Sequence, residues 1–115
     1  MDEAVIDQAV YAELQDTAGA EFVAELVDTF LEEAPGMLAE LRSARADAHA
    51  ERFRRAAHSL KSNSNTFGAL RLGVLARELE LKGLDTVPAR DKAALAALEA
   101  EYARVAAALK DLCHG

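Results

Sequence analysis

The amino-acid sequence predicts an all-α protein, an antiparallel four-helix bundle with a short extra N-terminal helix. Three observations lead there. Alanine and leucine dominate while β-branched residues are sparse, which favours helix over strand. Apolar residues recur in steps of three and four almost throughout. The 115 residues include only six Gly and two Pro, so the chain has few places to break. Four long helices with short connections fit an up-and-down bundle, with the small first helix as a lid. The length suits one domain over residues 1–115, and an apolar content of 51% is enough for one core.

The first helix is expected from Asp7 to Leu14, ending before the stretch Asp16-Thr17-Ala18-Gly19-Ala20. A second starts near Ala20 on the stripe Val23, Leu26, Val27, Phe30, Ala34, Met37, Leu38 and Leu41. Pro35 lies inside that stripe, but the apolar phase runs on past it, which predicts one bent helix. Asp47 is placed to cap the third helix, with Glu51 near its first turn. Gly68 should end that helix. A fourth runs from Ala69 to Lys82 on Leu72, Leu75, Ala76 and Leu79, and Gly83 stops it. Thr86 or Val87 precedes Pro88, which suits a first helical turn. The last helix runs from Ala89 to Leu112, with Leu95, Leu98, Tyr102, Val105 and Leu109 facing inward.

Charge narrows the function. A net charge of −7 argues against nucleic acid, because phosphate binding needs a broad basic surface. No apolar run approaches the roughly 18–20 residues that cross a bilayer. The first residues carry acid where a signal peptide carries base, so a soluble, cytoplasmic protein is expected. Cys113 is the only cysteine, which excludes an internal disulfide, and with His114 it makes too few ligands for a metal site.

Against this acidity, residues 51–69 form a small basic island around one histidine. On a helical wheel centred on Phe53, Ala57, Leu60, Ser64 and Phe67 lie within roughly 40° and Ala56 at about 60°, which is the buried face. His58 falls about 140° away and is therefore exposed. Arg54 and Lys61 lie at about 100° and 80°, Asn65 at about 120° and Ser62 at 180°. Cations thus stand one turn before and one turn after an exposed imidazole. His49 lies near the core phase at the start of this helix and is read as structural, or as exposed at the bundle end.

A neutral imidazole is a good nucleophile near neutral pH. Lys61 is a mobile point charge suited to a transferred phosphoryl group. Ser62 adds a hydroxyl with little bulk, leaving room for an incoming active site. No nearby Asp or Glu is seen to complete a triad with His58, no second histidine or cysteine stands at metal spacing, and no glycine-rich phosphate loop precedes a lysine. His58 can carry a group, but the chain has no means of its own to activate ATP. No cofactor or metal is expected, and a partner must bring Mg²⁺ and the phosphoryl donor.

The stretch "AAHSLKSNSNTFGALRLGVLARELE" resembles the signature of histidine-containing phosphotransfer (HPt) domains. The matching residues are His58, Leu60, Lys61, Ser62 to Ser64, Gly68 and Ala69. "FVAELVDTFLEEAPGMLAEL" is similar to the preceding helix of that family, and the likeness extends from about Phe22 to Leu112. It implies a four-helix bundle whose exposed histidine takes a phosphoryl group from one receiver-domain aspartate and passes it to another. It assigns His58 as the phosphorylated residue and Lys61 as its charge partner. Two positions depart from the family pattern: Ser62 stands where glycine is common, and Asn63 where serine is usual. Glu80 occupies a position where the family often has Gln or Glu. It either orients the imidazole, at the cost of repelling phosphate, or is a solvated helix residue.

The resemblance also implies partners: a response-regulator receiver domain with its Mg²⁺, and a hybrid histidine kinase. Receiver sites are acidic, so Arg54, Arg55 and Lys61 would steer and orient one, with Asn65 and Glu80 nearby. Arg52 lies nearer the flank. A monomer is expected. The start at Met1 suggests a free-standing protein over a module of a larger kinase. Two other readings compete: an adaptor that binds a receiver or kinase without carrying phosphate, and an enzyme using His58 as a general base. The latter needs a pocket that an exposed helix face does not offer. Phe22 and Leu31 widen the apolar surface of the second helix, as packing residues or a docking patch.

Overall fold

The computed structural model describes residues 5–84 and 88–114, with side chains described for 5–84 and 92–113. It contains α1 (Gln8–Ala18), α2 (Ala20–Ala46), α3 (Ala50–Thr66), α4 (Leu70–Lys82) and α5 (Pro88–His114). No strand occurs among the described residues. α2 packs on α3, α3 on α4, α4 on α5 and α5 back on α2, so the four longest helices close a ring. α1 lies against α2 and α3.

The predicted stripes meet inside this ring. Val23, Val27, Phe30, Ala34, Leu38 and Leu41 of α2 are buried, as are Phe53, Ala57 and Leu60 of α3. α4 adds Leu72, Ala76 and Leu79, and α5 adds Leu95, Leu98, Val105 and Leu109. Each large side chain removed from water in this way stabilises the fold by about 1.5–3 kcal/mol. Phe30 is an aromatic hub, with its ring centroid 5.4 Å from Phe67 and 5.9 Å from Tyr102. Tyr102, Leu26, Met37 and Leu75 are half-buried rather than fully inside.

Helix α2 is continuous through Pro35. Proline lacks the N–H that would bond four residues back, and Pro35 stands on the exposed face of the helix, away from the core. Helix α1 runs four residues beyond its expected end, through Asp16 and Thr17 to Ala18. Asp and Thr lower helix propensity without breaking a helix, and Leu14 and Ala18 both pack on the core. Termination waits for Gly19, at φ 92°. Thr86 and Val87, expected before the last helix, lie outside the described residues; α5 does begin at Pro88.

The corner between α2 and α3 departs from expectation. Asp47 does not cap α3; it is the C-cap of α2. Ala48 follows with φ 55°, and the His49 N–H bonds the Ala44 carbonyl at 2.8 Å. This six-to-one bond around a left-handed residue is a Schellman turn, and it delays the start of α3. His49 becomes the N-cap, its Nδ1 accepting from the Arg52 N–H at 3.2 Å. Arg52 clamps the same corner through Glu40, through Ser43 at 3.1 Å and through Asp47 at 3.0 Å.

At the other end of α3, Gly68 takes φ 82° and its carbonyl accepts the Asp7 N–H at 2.8 Å. A Cβ at Gly68 would stand 2.9 Å from the Asp7 carbonyl oxygen, so both the backbone angle and the docking of α1 require glycine. Helix α5 carries a polar core residue the pattern gave no sign of. Glu101 is only 2% exposed and is covered by Arg104 at 2.6 Å and Arg71 of α4 at 3.5 Å.

Candidate functional site

The site is built where α3 and α4 pack side by side. Phe53, Ala56, Ala57, Leu60 and Ser64 turn one face of α3 inward, which puts His58 on the rim with its side chain 58% exposed. His58 Nδ1 lies 2.5 Å from Glu80 Oε2, and Lys61 Nζ lies 2.7 Å from Glu80 Oε1. One carboxylate from α4 thus holds both the imidazole and the ammonium of α3. Glu80 is 17% exposed and is not a solvated helix residue. The hydrogen bond from Lys61 is the largest influence and lowers its pKa; burial, next in size, opposes this, and the contact with His58 adds a smaller lowering.

An ionised carboxylate only accepts hydrogen bonds, so the ring nitrogen facing it carries the proton. Nδ1–H donates to Glu80, which leaves Nε2 as the lone-pair nitrogen. Among the described residues Nε2 has no hydrogen-bond partner. The arrangement therefore fixes the tautomer and presents a nucleophilic nitrogen outward from a helix surface.

The small polar residues after His58 mostly satisfy themselves. Asn63 Nδ2 donates to the Ser59 carbonyl at 2.8 Å, Ser64 Oγ to Leu60 at 2.6 Å and Thr66 Oγ1 to Ser62 at 3.0 Å. Such bonds to the carbonyl four residues back keep polar groups on a helix without reaching outward. Ser64 is fully buried by this means. Ser62 is exposed and leaves space beside His58. Asn65 is exposed, and its side chain lies over Gly73 of α4; a Cβ there would fall 2.1 Å from Asn65 Oδ1. Gly73 thus leaves room for the Asn65 side chain over α4, a role the sequence reading missed. The signal was a glycine set inside the helical pattern of α4.

The basic island divides. Arg54 is exposed and makes no ion pair among the described residues. Arg55 is exposed and pairs loosely with Glu51 at 3.3 Å. Lys61 is half-buried against Glu80. Arg52 is committed to its corner clamp and is not a free cation. Phe22 is exposed on α2, while Leu31 is packed against the core. Cys113 approaches the Tyr11 hydroxyl at 3.2 Å, tying α1 to the end of α5.

The closed ring of helices presents an exposed, carboxylate-held histidine, and the chain belongs to the Hpt domain family, whose model matches residues 25–114. It is a histidine phosphotransfer protein of two-component phosphorelays. Proteins of this family are phosphocarriers that interact with receiver domains and kinases. Among solved structures it is similar to histidine-containing phosphotransfer protein B (HptB) from Pseudomonas aeruginosa PAO1. The TM-score is 0.82 at 28% identity, over 97% of this chain and 96% of that one. No curated protein matches the sequence. Among the described residues, no helix is long and apolar enough to cross a membrane.

Proposed function

We propose that His58 is the phosphorylated residue and that the chain relays a phosphoryl group between receiver-domain aspartates through its Nε2. The observation that carries this is the contact of Nδ1 with Glu80, 2.5 Å long, in an imidazole that stays mostly exposed. The Nε2 lone pair attacks the phosphorus of an aspartyl phosphate. The P–O bond breaks, a P–N bond forms, and the aspartate leaves as carboxylate. The partner's Mg²⁺ and acidic pocket position the group, because phosphoryl transfer needs placement and charge neutralisation more than local covalent chemistry. Lys61 stands one turn from His58 and supplies positive charge on this side. Ser62 leaves room for the partner, and Arg54, Arg55 and Asn65 lie on its approach.

The fold that supports this reading is an antiparallel four-helix bundle with α1 as an added lid. Short connections at residues 47–49 and 67–69 and the closed ring of packed helices favour it. The chain acts as one domain over residues 1–115 and as a cytoplasmic monomer. It has no ATP site of its own, and its partners are a receiver with Mg²⁺ and a hybrid histidine kinase.

The test is transfer itself. The protein is mixed with Mg²⁺ and receiver domains charged on aspartate, and intact mass is read for acid-labile phosphate, with His58→Gln as control. Phosphate on the wild type and none on the variant is expected. A variant that keeps full signalling activity while neither protein takes up phosphate would instead mark an adaptor.

A further inference from the structure

We propose that Glu80 keeps the proton on Nδ1 of His58 while the phosphoryl group is on Nε2, so that the phosphorylated ring stays an imidazolium and its leaving group is always neutral imidazole. This rests on the reading of His58 as the phosphoryl carrier. When Nε2 forms the P–N bond with Nδ1 still protonated, the ring becomes an imidazolium. Transfer onward returns the bonding pair to Nε2 as the new P–O bond forms on the receiver aspartate. The ring is then neutral imidazole with Nδ1–H intact, and no proton has moved. A phosphorylated ring that has lost its Nδ1 proton must leave as imidazolate, a far poorer leaving group.

The geometry supplies what this needs. Nδ1–H is directed at Oε2, 2.5 Å away, so the carboxylate opposes loss of the proton from a cationic ring. Lys61 holds Oε1 at 2.7 Å, which orients the carboxylate and keeps it ionised. The same ammonium offsets the repulsion that Glu80 would exert on a phosphoryl group across the ring. Other charges stand further off. On α3, Arg54 lies one turn before His58. On α4, Arg77 lies one turn before Glu80 and is exposed. Glu33 and Glu40 of α2, with Arg52 and Arg55, line the opposite flank of α3. The Asp7 N–H, just before α1, bonds the Gly68 carbonyl past the end of α3, more than two turns beyond His58. Glu80 is therefore a positioning residue that acts through the imidazole.

The experiment compares wild type, Glu80→Gln and Glu80→Asp. Each is loaded from a charged receiver, loading is read by intact mass, and single-turnover transfer to a fresh receiver is followed from about pH 6 to about pH 9. Taking the ratio of variant to wild-type rate with one receiver cancels the receiver's own pH dependence. An imidazolium without a carboxylate partner titrates near 6.5. The Glu80→Gln ratio should therefore fall about tenfold per pH unit above about pH 7, and Glu80→Asp should flatten the profile again. A ratio that is reduced but constant with pH overturns the proposal while leaving His58 as carrier. Failure of the wild type to load from any receiver removes the underlying reading as well. Should Glu80→Gln fold or load poorly, the ¹⁵N shift of Nδ1 in phosphorylated wild type decides. Retained protonation above about pH 8 supports the proposal, and titration near 6.5 overturns it.

Discussion

Arg54 stands one turn before His58 with no carboxylate against it among the described residues, whereas Arg52, two positions earlier, is bound by Glu40 and Asp47. The difference follows from helical phase. Arg52 faces α2 and its acids, while Arg54 projects into solvent beside the imidazole. A free cation steers an acidic partner, and a committed one does not. Arg54→Glu should slow association with a charged receiver about three- to tenfold at low salt. The deficit should shrink at high salt, and the urea midpoint should hardly move. Stopped-flow transfer at two ionic strengths measures this, and an unchanged rate at low salt removes the steering role. The sequence named His58, Lys61 and Glu80 as site residues. It did not distinguish an orienting Glu80 from a solvated one, because the residues are 22 apart and only the pairing of α3 with α4 brings them together.

At the scale of elements, the helix starts and stops that depend on one backbone angle were legible, and those that depend on a competition between caps were not. Gly68 and Gly83 end α3 and α4 where the sequence places them. Asp47 was expected as a cap and lost that place to His49, because the Schellman turn after α2 uses the intervening residues. Gly68 also receives the start of α1, so Gly68→Ala combines a positive φ with a close contact to Asp7. It should cost about 1–3 kcal/mol by urea denaturation. Gly19→Ala meets nothing within 4 Å and carries only the penalty of its positive φ, so it should cost less. Equal losses at the two sites would remove the argument that α1 docks through Gly68.

For the whole molecule, the two ends of the chain are joined at Tyr11 and Cys113. Tyr11 is buried, and burial, then the hydrogen bond to Cys113, pushes its phenol up to about 12. Tyr102 is raised as well, by burial. An unfolded tyrosine titrates near 10. The neutral phenol is therefore the form the fold prefers, so its contribution is complete below about pH 10 and is lost as pH rises towards about 12. Tyrosinate absorbance should stay low through pH 10 in the folded protein and then rise together with loss of helical circular dichroism. Full ionisation of both tyrosines near pH 10 without unfolding would show that neither is held by packing. In Tyr11→Phe the phenol to be protected is gone, and alkaline unfolding should move to higher pH.

The sequence by itself determined the helical class, the inward stripes, the exposure of His58 and the cations beside it. All of these are local: they follow from 3.6 residues per turn and from which side chains leave water. Tertiary structure alone decided that Glu80 holds Nδ1 of His58 and Nζ of Lys61, that Gly73 makes room for Asn65, that Arg52 is spent at a corner, and that Glu101 can be buried beneath two arginines. Each depends on the relative position of two helices. Periodicity shows which face of a helix turns inward, but not the register at which that face meets its neighbour.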